Sequence, residues 1–172
     1  MTDLNTDEFI PRYTERVVAP SERRTAVLLV NGFTGLGLHT LKNIHHAFPQ
    51  IFDDFVFVQI GLIDAGVFKG ADDVGRMQKR ASTDTQRYVD IMHNYGYAAE
   101  GISKFGVDII SEILTIIPGI LEKHPRAVFF GGQLVFPQDS LFTRWLHNSI
   151  VFTVQDKLYV QGIPFMIIPV KV

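Results

Sequence analysis

The sequence predicts an open, doubly wound α/β domain in which five parallel strands alternate with four helices. Three observations carry that prediction. Short apolar runs of strand length recur along the chain, separated by segments of helical periodicity. The first and fourth of these runs, TAVLLVN and AVFF, stop at glycine. Right-handed crossovers then wind the strands into one sheet, whose functional loops lie where strands end.

Each element has its own justification. Residues 1–22 are a polar leader broken by Pro11 and Pro20, expected to form an arm or a loosely attached helix, with residues 23–172 as a single domain. Residues 25–31 are the first strand, ended by Gly32, Gly35 and Gly37. Residues 39–48 read as a helix with Leu38, Leu41, Ile44 and Phe48 on one face and Pro49 beyond its end. Residues 54–63 (DFVFVQIGLI) are a second buried strand. Asp72 or Asp73 starts the next helix, in which Val74, Met77, Ala81, Tyr88, Met92 and Tyr95 recur at helical spacing until Gly96 stops it. Residues 97–105 alternate in polarity as an edge strand does. Residues 107–123 are a helix apolar on most sides, expected to be buried on more than one face and kinked at Pro118. Residues 127–130 are the fourth strand. Residues 140–161 are the fourth helix, capped by Asp139 or Ser140 and stopped by Gly162. Residues 164–170 are the last strand, with Pro169 marking a sheet margin or a bulge because it lacks a ladder donor.

Composition narrows the function classes. A chain of 172 residues with 47% hydrophobic and 20% charged residues builds one sizeable core and is not disordered over most of its length. A net charge of −2 and a pI near 6.3 give no basic stripe for nucleic acid. The absence of cysteine excludes disulfides and thiol catalysis and suits a reducing compartment. MTDLNTDEF is polar and acidic, unlike a signal peptide. The most apolar span, 107–121, carries Asp108, Glu112 and Pro118 and is shorter than the roughly 20 residues a membrane helix needs. A soluble, cytoplasmic chain is expected. A mean hydropathy of +0.15 with 14 phenylalanines points to apolar surface that meets a partner.

The run VLLVN entering a glycine turn and a helix resembles the first unit of the universal stress protein fold. The tail from AVFFGGQLV to QGIPFMIIPV resembles that fold's final strand–glycine loop–helix–strand unit. The resemblance implies a three-layer αβα sandwich with strand order 3-2-1-4-5. A narrower resemblance rests on GLGLHTL, FVFVQIGLIDAGVFKG, FTRWLHN and QGIPFMIIPV. These phrases look like the cytoplasmic C-terminal domain of bacterial amino acid permeases of the amino acid–polyamine–organocation superfamily. It covers residues 24–172 and implies a non-enzymatic regulatory or accessory module beside a transporter, at the inner face of the membrane, or a free-standing relative of one. Many members of the resembled fold dimerise through the last strand, so a two-fold dimer through residues 163–172 is expected.

Nucleotide-binding members of the stress-protein family place an Asp at the end of the first strand, where this chain has Asn31. They use a glycine-spaced loop after the fourth strand. Gly131 and Gly132 begin that loop here, but Leu134 stands where the second spaced glycine belongs. Their third element falls at Asn148 and Ser149, without its glycine. Each departure adds a side chain where backbone would approach phosphate, so no cofactor is expected, with ATP as the alternative. The resemblance implies a ligand crevice between the ends of the first and fourth strands, lined by Asn31, Gly32, Gly35, Gly131, Gly132, Asn148 and Ser149.

Other candidates divide between structure and function. The turn at 31–37 has the spacing G-x-x-G-x-G, not the dinucleotide fingerprint G-x-G-x-x-G. It reads either as an anion site at a helix N-terminus or as a tight strand-to-helix turn. VLLVNGFTG echoes the oxyanion loop of α/β-hydrolases, but no G-x-S-x-G nucleophile elbow accompanies it. His39, His45 and His46 lack metal-ligand spacing and read as surface or interface histidines. Arg144, His147 and Asn148 form either a structural hydrogen-bond network or a ligand contact. Lys69, in the glycine-bearing loop 64–73, meets either an anion or solvent. A small nucleotide-hydrolysing enzyme would have to draw on Asp64, Lys69, Arg144 and His147, whose spacing demands no catalysis.

Overall fold

The computed structural model describes residues 5–63, 71–135 and 141–171, the last two stretches without the side chains of 71–73 and 141–149. The five strands are β1 (Thr25–Val30), β2 (Asp54–Leu62), β3 (Ala98–Gly106), β4 (Ala127–Val135) and β5 (Phe165–Lys171). Between them run α1 (Gly35–Ala47), α2 (Ala71–Asn94), α3 (Ile109–Lys123) and α4 (Leu141–Tyr159). The strands form one parallel sheet in the order β3-β2-β1-β4-β5, the order that the resemblance implies. β1 therefore lies between a strand reached through α1 and one reached through α3. The winding changes direction there, which makes the C-terminal ends of β1 and β4 the place for a ligand crevice.

Strand pleating sorts the core into two layers. Ala26, Leu28, Phe55, Phe57 and Phe130 face one way and pack with Leu38, Leu41 and Ile44 of α1 and with Tyr88 and Met92 of α2. Val27, Val56, Val58 and Phe129 face the other way and pack with Ile113, Ile117 and Ile120 of α3 and with Val154 and Leu158 of α4. Asp108 caps α3, its carboxylate accepting from the amides of Ile110 and Ser111 at 2.9 and 3.2 Å.

Four local readings of the sequence change. β4 does not stop at Gly131-Gly132 but runs through both to Val135, because β5 pairs with it as far as Val135 opposite Lys171. The two glycines answer a packing need rather than a turn. A Cβ on Gly131 would lie 2.8 Å from Val151 Cγ1, and one on Gly132 would lie 3.1 Å from Leu36 Cδ1 and closer still to Thr40. α1 starts at Gly35, four residues earlier than expected, because Thr34 caps it by accepting from the Gly37 amide at 3.4 Å. Only Gly32 of the turn's three glycines has positive φ, at 74°. α3 is not buried all round: Ser111, Thr115, Pro118, Gly119 and Glu122 form an exposed face opposite Ile113, Ile117 and Ile120. In α2, Met77 is exposed although it continues the apolar spacing of Ala81, Tyr88 and Met92.

The leader from residue 5 lies along the N-terminal margin of the sheet. Ile10 is buried in the first core layer, and Tyr13 packs on Tyr97 with ring centroids 5.1 Å apart. Tyr13 Oη donates to Asp53 at 3.0 Å, and Arg16 pairs with the same carboxylate at 2.8 Å. Among the described residues, no helix is long and apolar enough to cross a membrane.

Candidate functional site

A cavity of about 230 Å³ opens at the C-terminal ends of β1 and β4. Its floor is aliphatic. Leu29, Val58 and Ile60 come from the sheet, Ile109 and Ile113 from α3, and Val151 from α4. Asn31, Thr34 and Thr40 supply the polar side chains of the lining, and no charged side chain contributes among the described residues. These groups meet because α1 leaves β1 on one face of the sheet while α3 and α4 cover the other, so the two layers part at this rim.

The turn between β1 and α1 is held from below by Tyr88. Its hydroxyl accepts from the Thr34 amide and donates to the Gly32 carbonyl, both at 3.2 Å. The ring is completely buried between Phe57, at 4.9 Å, and Phe33, at 4.8 Å. The Arg87 guanidinium covers the other ring, 3.7 Å from the centroid of Phe33. Burial pushes the Tyr88 hydroxyl above its ordinary value, so it stays protonated and keeps donating. Gly37 lets the tyrosine in, since a Cβ there would sit 2.9 Å from Tyr88 Cζ.

This geometry bears on anion binding. Two of the turn's amides are already engaged, Thr34 by Tyr88 and Gly37 by the Thr34 hydroxyl. The Thr40 hydroxyl donates to the Leu36 carbonyl at 2.8 Å, which leaves its lone pairs facing the cavity as acceptors. The Asn31 side chain is exposed and makes no hydrogen bond to another described residue. It offers both its donor and its acceptor to whatever enters.

Of the residues expected to line the crevice, the cavity brings Asn31 and Gly132 together. Gly32 and Gly35 belong to the same turn but not to the lining, and Gly131 is buried against Val151 and Phe165. The side chains of Arg144, His147, Asn148 and Ser149 lie outside the described residues, as do Asp64, Lys69, Asp139 and Ser140. His45 is buried rather than at the surface, 5.2 Å from the ring of Phe55, and burial lowers its pKa to about 4. The sequence reading passed over Thr34, Thr40 and Tyr88. Thr34 carried a legible signal, a hydroxyl residue directly before an apolar-periodic helix. Tyr88 showed only as one more residue on an apolar face. Among the described residues, no group of three or more His, Asp or Glu could hold a metal ion.

The five-stranded order, the four helices of the described residues and the crevice at the winding reversal define a universal stress protein-like fold. The chain is similar to the crystal structure of a protein from the universal stress protein family from Burkholderia pseudomallei. The two share 12% identity and a TM-score of 0.60, over 85% of this chain and 96% of that one. A second solved structure, described as a hypothetical protein, shares 15% identity and a TM-score of 0.56 over 85% and 96% of the two chains. At such identities the likeness is one of fold. No family profile matches the chain, and no curated protein matches it in sequence.

Proposed function

We propose that this chain is a non-enzymatic regulatory or accessory module that senses a small ligand in the crevice between β1 and β4. The observation that carries the reading is the cavity itself. It lies at the reversal of winding, where this class of sheet binds ligands, and among the described residues its polar side chains are an amide and two hydroxyls without a titratable base or acid beside them. In its finer form the module is the cytosolic domain of an amino acid permease, or a relative of one, working at the inner face of the membrane. The phrases GLGLHTL and QGIPFMIIPV support that form, and both fall on parts of the fold beside the crevice or the sheet edge. The module pairs with a second copy along β5. That edge strand exposes Met166, and α4 exposes Phe152 and Tyr159 on one helical face seven residues apart.

The test is thermal unfolding of the purified chain with amino acids, neutral aliphatic amides and nucleotides. A ligand at 100 times its dissociation constant adds about 2.7 kcal/mol. A panel without a single shift removes the sensing role and leaves protein–protein contact as the function. Sedimentation of wild type and Met166→Lys reports on the pairing.

The fold likeness to a universal stress protein family structure supports a second reading, in which the same crevice binds ATP or hydrolyses a nucleotide. Phosphate release from ATP that is lost in His147→Ala would establish the enzyme.

A further inference from the structure

We infer that the β1–β4 crevice takes an uncharged small molecule with a short aliphatic body and one amide or alcohol end, which hydrogen-bonds to Asn31. This inference rests on the sensing role above and names its ligand class. Size comes first. At about 230 Å³ the cavity exceeds the roughly 150 Å³ that accommodates benzene and falls short of the roughly 300 Å³ at which drug-sized sites begin. A branched chain of four or five carbons suits that space (on the order of one small core side chain). A nucleoside triphosphate does not.

Charge comes second. The described lining holds no Lys, Arg or His to neutralise an anion and no Asp or Glu to neutralise a cation. Bringing an ion against Leu29, Val58, Ile60 and Ile113 strips its water without replacing it, which costs several kcal/mol. The backbone compensates only in part, because the Thr34 and Gly37 amides at the start of α1 are engaged inside the turn and no cationic side chain of the described lining adds to the amides that remain. Polarity comes third. Asn31 at the rim presents two donors and an acceptor that no described residue uses, and Thr40 presents an acceptor deeper in. An amide or hydroxyl group satisfies these partners while its alkyl body displaces water from the aliphatic floor.

The experiment uses the full chain with labelled Ile, Leu and Val methyls. The probes are isovaleramide, benzene, leucine, inorganic phosphate and Mg-ATP, followed by NMR. Isovaleramide is expected to move the Ile113 and Val151 methyls saturably, and benzene to move them as an apolar control. Val151→Phe fills the cavity and abolishes both responses. Asn31→Leu, at an exposed position that does not test folding, weakens isovaleramide about fivefold, the fold-change of one lost hydrogen bond, and leaves benzene unchanged. Movement of the same methyls by Mg-ATP, phosphate or leucine overturns the uncharged class while keeping a ligand site in the crevice. Equal isovaleramide binding in wild type and Asn31→Leu overturns the role of Asn31. Silence from all five probes overturns both the ligand class and the sensing role.

Discussion

The two margins of the sheet are built to opposite rules. At the N-terminal margin the carboxylates of Asp53, Asp54 and Glu100 all have partners. Asp53, 2% exposed, accepts from Tyr13, Arg16 and the Arg24 amide. Asp54 pairs with Arg23 at 2.5 Å, and Glu100 ties Lys123 and His124 to the edge strand β3. At the C-terminal margin the described cavity is uncharged, and Asn31 stands without a partner among the described residues. Strands leave their polar ends at both margins, so sequence composition alone does not impose the difference. One end spends its polar groups on holding the leader, β2 and β3 together. The other withholds them, and withheld groups are what a ligand uses.

The strongest way to break this contrast is Asp53→Asn. The new amide keeps one oxygen and turns its NH2 either on the Arg24 amide or on Tyr13 and Arg16, which are donors themselves. Arg16 keeps access to solvent, its side chain 38% exposed, so the loss stays at the low end for a broken buried pair. A fall of about 3–4 kcal/mol in urea unfolding is expected. Burial pushes the Asp53 carboxyl upward, but the Arg24 amide, Tyr13 and Arg16 together hold it below its ordinary value. Its contribution is therefore complete above the usual carboxylate range and is lost as pH falls through the depressed value. A loss under about 1 kcal/mol would mean that the margin is not held by its partners.

A second test concerns acid. α1 runs back across the sheet, so its last turn carries His45 to the N-terminal margin, where the Nε2 atom is buried without a partner. The groups around it are Tyr97 on the sheet side and Asp7, Glu8, Lys42 and His46 around the adjoining recess. Burial holds His45 at about 4 against an ordinary 6.5. The unfolded chain then binds the proton first as pH drops. Stability is full above about 6.5 and declines until about 4, by at most about 3 kcal/mol at 1.36 kcal/mol per unit. His45→Leu should remove most of that slope between pH 7 and 4 in urea midpoints. A slope unchanged in the variant would assign the acid sensitivity elsewhere.

Tyr88→Phe sharpens the contrast from the other side. It keeps the ring stack and deletes the hydroxyl that anchors Thr34 and Gly32. About 1–2 kcal/mol of stability should go, with faster exchange appearing first at the Thr34 amide. Hydrogen exchange at that amide, unchanged in the variant, would show that the turn holds itself.

The fold was legible because its signals are periodic and redundant. Five apolar runs, four helical spacings and the handedness rule leave few topologies, and the observed order among them is the one the resemblance implies. Local boundaries were legible where a residue has one meaning, as with Gly162 at positive φ after α4. They failed where a residue has two. Gly131 and Gly132 read as a stop, yet they let α1, α4 and β5 approach β4, a demand made by residues far along the chain. The site divides the same way. Asn31 was visible as the last residue of an apolar run. That Tyr88, more than fifty residues later, engages the turn's Thr34 amide and Gly32 carbonyl depends on how α2 lies on the sheet, and no local pattern in the sequence carries that.

The smallest expected effect is the mirror of the first. Asn31→Asp places a carboxylate at the crevice rim, as Asp53→Asn removes one from the opposite margin. Asn31 is exposed and has no described partner to lose, so unfolding should change by less than about 0.5 kcal/mol. Asp84 lies close enough to the turn for mild repulsion, with its carboxylate 3.5 Å from where a Cβ of Gly32 would be. Higher salt should erase what repulsion there is. The informative quantity is the ratio of the two swaps. Near-neutral Asn31→Asp beside a costly Asp53→Asn says that one margin stores stability and the other keeps a polar group in reserve. A loss above about 1 kcal/mol in Asn31→Asp would place Asn31 in the structural frame after all. An amide-bearing ligand, which can donate to the new carboxylate, should still bind the variant, whereas a phosphate-bearing one would be repelled.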